Sequence, residues 1–80
     1  MSETIKKVRG ILRSEFGLKE SELEDEAPIF SAKVLDSLNS LKLLLFLERE
    51  FNLKISPFDV SLDEVDSIGE IARTVDRLSI

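Results

Sequence analysis

Eighty residues, 42% of them hydrophobic, suffice for one compact domain near the size at which a single core supports itself, and leave no room for a second. The chain has no cysteine, histidine or tyrosine, so neither a disulfide framework nor a thiolate metal site holds it, and the side chains most often used as nucleophile or general base are missing. Eleven basic residues against sixteen acidic ones give a formal charge of -5, the wrong sign for a protein that tracks phosphate backbones and so an argument against nucleic acid as a partner.

The first element is a helix. Ile5, Val8, Leu12 and Phe16 recur at spacings of three and four, with Ile11 beside them, which predicts an amphipathic helix from Glu3 to Phe16. Gly17 suits the left-handed conformation that closes a helix, and Leu18 can fold back as the apolar contact of that cap. From Lys19 to Leu35 the pattern is acidic and aperiodic, and Pro28 favours an extended residue before it. Such a long loop in so small a domain is expected to be functional or pinned by its own side chains, with Ile29, Phe30 and Leu35 as the pins.

A second helix is predicted to start at Asp36 or Ser37, both good N-cap types, and to end at Asn52. Its Leu38, Leu41, Leu44, Leu45, Leu47 and Phe51 are too many for one narrow stripe, so at least one leucine should face outward. Ser56-Pro57 predicts a short helical turn around Phe58 to Val60. Ser67 with Glu70 reads as a capping box, followed by Ile68, Ile71, Ala72, Val75 and Leu78 at helical spacing. The expected fold is all-α: a small four-helix bundle of three main helices and one short one, spanning residues 1–80 as a single domain.

The longest unbroken apolar run, Leu43 to Leu47, is far shorter than the roughly 20 residues needed to span a bilayer, and Met1 to Lys7 lacks the apolar stretch of a secretory signal. These features predict a soluble, cytoplasmic protein without membrane insertion. No residue set suggests a metal site or a catalytic pair, so an enzyme is not expected.

The segment that carries chemistry is Val34-Leu35-Asp36-Ser37-Leu38, where a serine opens the most hydrophobic helix. A helix N-terminus presents unpaired N–H groups and a partial positive charge, so a phosphate esterified to Ser37 would be well placed. Taken alone, the same residues read first as ordinary cap residues.

The wider pattern decides between them. Phe16-Gly17-Leu18, the loop ahead of the site, Leu35-Asp36-Ser37-Leu38, Leu47-Glu48-Arg49-Glu50-Phe51, Ile55 and the final capped helix together resemble the acyl and peptidyl carrier protein family from end to end. The resemblance implies that Ser37 receives covalent 4'-phosphopantetheine, drawn from coenzyme A by a phosphopantetheinyl transferase, and that Asp36 helps the transferase engage. Acyl or aminoacyl cargo would ride as a thioester on the arm's thiol. A loading ligase and downstream acyl-processing enzymes, as in fatty acid, polyketide or nonribosomal peptide synthesis, would be its partners.

In the family the outer face of the second helix meets those enzymes. By position, Leu38 and Leu45 are implied as apolar contacts and Glu48 as an acidic one. Asn39, Ser40, Lys42 and Arg49 depart from the carboxylate-rich pattern of fatty-acid carriers, making the face less negative, although Lys42 and Arg49 also read as ordinary solvated positions. Leu35 directly before Asp36 looks closer to specialised stand-alone carriers, including those of aminoacyl cargo. The alternative function is an unmodified interaction module that docks through the same helix. The leucines suit a core that loosens to admit an acyl chain, or simply a packed core. A carrier that diffuses between partners is expected to be a monomer.

Overall fold

In the computed structural model, which describes residues 3–79, the chain forms α1 (Glu3–Phe16), α2 (Asn39–Phe51) and α3 (Ile68–Leu78), with 3-10 turns at Glu20–Glu22 and Leu62–Val65. No strand occurs among the described residues. The fold class is therefore the expected helical bundle, and α1 lies more closely on α3 than on α2.

Each helix forms where its apolar spacing finds a neighbour. α1 buries Val8, Ile11 and Leu12. It stops at Gly17, whose φ of 67° costs a glycine little, and the Leu18 amide returns to the Leu12 carbonyl at 3.2 Å while its side chain is buried. α2 buries Leu43, Leu44 and Leu47 and ends at left-handed Asn52, after which the Leu53 amide reaches back to the Glu48 carbonyl at 3.1 Å. α3 buries Ile68, Ile71, Ala72 and Val75. The three apolar faces meet in one core that also takes in Leu23, Ile29, Phe30, Ile55 and Val65 from the connections.

Two local expectations are corrected. Phe58 to Val60 is not helical: residues 57–59 make a single turn, closed by the Asp59 amide on the Ser56 carbonyl at 2.9 Å. Phe58 there is 98% exposed and has nothing to pack against, so no helical face forms. The short helix lies instead at Leu62–Val65, where Val65 is buried and the Ser61 amide donates to the Glu64 carboxylate at 2.8 Å. The capping box before α3 is half made. The Ser67 hydroxyl accepts the Glu70 amide at 3.1 Å, but the Glu70 carboxylate is drawn away to Arg73 at 2.7 Å.

The connection from Lys19 to Leu35 is pinned as expected by Ile29 and Phe30, both buried, with Leu35 half-buried at the core's edge. What holds it most firmly is polar. Asp66, just before α3, accepts the amides of Ile29, Phe30 and Ser31 at 3.2, 2.6 and 2.9 Å and the Ser31 hydroxyl at 2.6 Å. The Gly69 amide adds a bond to the Asp25 carbonyl at 2.7 Å, and Arg9 on α1 binds the Leu23 carbonyl and the Asp25 carboxylate. A Cβ at Gly69 would push the flexible Glu26 carboxylate aside and stand 3.1 Å from the Asp25 carbonyl, so a glycine lets this corner close without shifting its neighbours.

Candidate functional site

The path from the pinned connection to the start of α2 is continuous in hydrogen bonds. With Ile29 held by Asp66, its carbonyl accepts the Val34 and Leu35 amides at 2.8 and 3.3 Å, and the Lys33 amide returns to the Phe30 carbonyl at 3.1 Å. Lys33 takes a φ of 59° to make that tight reversal. The chain leaves it as Leu35-Asp36-Ser37, so the serine stands at the end of a fixed support rather than on a free loop.

Asp36 is the true cap of α2. Its carboxylate accepts the Asn39 amide at 3.2 Å and the Asn39 side-chain amide at 2.9 Å. The first turn is then closed by i to i+3 bonds, from Asn39 to the Asp36 carbonyl at 3.0 Å, Ser40 to Ser37 at 3.2 Å and Leu41 to Leu38 at 3.3 Å. Regular α-helix consequently starts at Asn39, later than the sequence suggests, although the cap sits where the sequence puts it. The Ser40 hydroxyl also bonds the Ser37 carbonyl at 2.6 Å.

Ser37 is exposed and its own hydroxyl is bonded to no described protein group. A hydroxyl in that state is open to a modifying enzyme, and a phosphodiester built on it would lie at the N-terminal end of α2, where the helix dipole favours negative charge. The residues present therefore fit a phosphate-linked prosthetic group.

Beyond the serine, the remaining sequence-derived candidates separate. Leu38 and Leu45 project from α2 with 76% and 60% of their surface exposed, and Leu41 joins them at 49%. Lys42 and Arg49 are exposed on the same side. Glu48 is not: it is half-buried, and its carboxylate accepts the Ile55 amide at 2.7 Å, fastening the residues that follow α2. That carboxylate already has a structural partner within the chain.

A recess of about 80 Å³ lies between α2 and the residues that follow it, lined by Ser40, Leu41 and Leu44 of α2 and by Pro57, Val60, Ser61, Leu62 and Val65. It is about half the size of a cavity of roughly 150 Å³ that takes up a benzene ring. A larger depression, about 740 Å³, is an open groove between α1 and α2 that does not include Ser37.

The model for the phosphopantetheine attachment site matches residues 6–75, nearly the whole chain. The chain belongs to the acyl carrier protein family. It is similar to the acyl carrier protein of Thermotoga maritima, with 28% identity over 75 residues that cover 94% of this chain and 90% of that protein. The cofactor is accordingly covalent 4'-phosphopantetheine, and the protein is a carrier rather than an enzyme. Such carriers work with a phosphopantetheinyl transferase and acyl-processing enzymes. Among the described residues, no helix is long and apolar enough to cross a membrane.

Sequence reasoning missed Asp66 and Ser31 as parts of the site's support. An aspartate directly before a capped helix looks like one more acidic residue near a helix start. Nothing in the local pattern tells that it reaches amides more than thirty positions earlier.

Proposed function

We propose that Ser37 is the attachment point of the phosphopantetheine arm, and that the carrier, working as a single domain over residues 1–80, moves acyl or aminoacyl thioesters between cytoplasmic partner enzymes. The observation that carries this reading is the exposed, unbonded Ser37 hydroxyl at the capped start of α2, inside the stretch that matches the phosphopantetheine attachment family. The cofactor supplies the thiol on which cargo is carried; the chain holds the arm, with Asp36 fixing the first turn of α2 and offering the transferase a carboxylate next to the serine. Leu38, Lys42, Leu45 and Arg49 form the docking face, and the chain acts as a monomer.

Co-expression with a broad-specificity phosphopantetheinyl transferase, followed by intact-mass measurement, tests the assignment. The wild-type chain gains the mass of the arm and Ser37→Ala does not. A wild-type chain that stays bare would instead favour the unmodified interaction module.

A further inference from the structure

In a chain of net charge -5, the outward side of α2 carries no outward-facing carboxylate. The helix has two acidic residues: Glu48 is turned onto the Ile55 amide, and Glu50 faces Lys7 of α1 at 4.0 Å. The charges that remain outward are Lys42 and Arg49, and among the described residues neither has an ion-pair partner. Arg9, Arg13, Arg73 and Arg77 all do, so Arg49 stands apart among the arginines, whereas Lys42 shares its unpaired state with Lys6, Lys19, Lys33 and Lys54. Between and beside the two cations stand Leu38, Leu41 and Leu45, at i, i+3 and i+7, three exposed leucines in one row. Lys42 and Arg49 are two helical turns apart, about 10 Å along the axis.

Exposed leucines in a row are poorly hydrated surface that a partner helix covers well, and cations left without internal partners are free to choose the partner's sign. From this we infer that α2 docks against an apolar helix face of a partner protein whose rim presents carboxylates about two turns apart, matching Lys42 and Arg49. A row of three leucines flanked by only two cations is matched by a helix face with two placed carboxylates rather than by the diffuse charge of an anionic lipid surface, which the test below includes as a contrary outcome. The inference rests on α2 being the carrier's docking face and specifies the chemistry of what docks there.

Bulk charge makes the opposite forecast, which sharpens the test. Two amphipathic helical peptides share one leucine stripe; the first has glutamates flanking it two turns apart and the second has lysines there. Each is titrated into the isotope-labelled full chain and followed by amide chemical shifts. The glutamate peptide is expected to move the Leu38, Lys42, Leu45 and Arg49 amides and to bind about tenfold tighter than the lysine peptide. The order is expected to reverse in Lys42→Glu/Arg49→Glu, with the far-UV spectrum showing that the variant is folded. Equal or tighter binding of the lysine peptide, no binding of either, or preference for phosphatidylglycerol vesicles overturns the inference. Intact-mass measurement on the same wild-type sample separates this from the attachment assignment, since the arm can be present on Ser37 whichever peptide wins.

Discussion

The two stretches that flank Ser37 treat their polar groups in opposite ways. In the connection before it, residues 24–35, amides and carbonyls are tied down: Asp66 gathers the Ile29, Phe30 and Ser31 amides, the Ile29 carbonyl takes the Val34 and Leu35 amides, and Asp25 accepts from Gly69. On the outer side of α2 after it, leucines and cations are left without partners. An irregular segment is thus the fixed support, and a regular helix offers the unfilled surface. Backbone groups without secondary structure must find partners elsewhere, which ties the loop to its surroundings, whereas α2 satisfies its backbone internally and leaves its outward side chains free.

Substitutions on the two sides should therefore behave differently. The largest stability loss is expected from Ile29→Ala, which empties a fully buried site on the support side and should cost about 2–4 kcal/mol in urea unfolding. Asp66→Ala leaves three amides and a hydroxyl without their acceptor and should cost about 2–3 kcal/mol by the same measurement. A loss under half a kcal/mol would mean that water replaces the carboxylate at little cost.

Acid should act through the same residue. Burial by itself would raise the Asp66 pKa, but it is outweighed by the Ser31 hydroxyl and the Ser31, Phe30 and Ile29 amides, which hold the carboxyl below its ordinary value. A group with a lowered folded pKa stabilises fully above the unfolded value, near 3.9 for aspartate, and loses that contribution as pH falls through the folded value. Thermal midpoints of the wild type should accordingly drop faster below about pH 4 than those of Asp66→Asn. Parallel curves would show that other carboxylates dominate. The smallest stability effect is expected on the open side: Leu45→Gln should stay within about 0.5 kcal/mol of wild type, because that leucine is mostly exposed, while weakening partner docking.

Most of the bundle was legible in the amino-acid sequence. α1 has the bounds read from its apolar spacing, and Gly17 and Asn52 end their helices in the left-handed conformations anticipated for Gly17 and consistent with the stop placed at Asn52. Ser37 was singled out from a short motif and its setting, and the structure leaves it exposed at a helix start. The errors arose where local rules compete with tertiary contacts. Ser56-Pro57 has the chemistry of a helix start, yet Phe58 found no core to join and the turn stayed a turn. Glu70 has the spacing of a full capping box, yet Arg73 drew its carboxylate away.

Periodicity and caps belong to neighbouring residues, so the chain itself determined three helices, the stops of the first two and the cap just ahead of the second. Which side chains of α2 remain unpartnered, and which distant aspartate fixes the approach to that serine, depend on groups brought together only when the helices pack. Those choices were made by the tertiary structure, because buried donors and acceptors must be matched in space and not along the sequence.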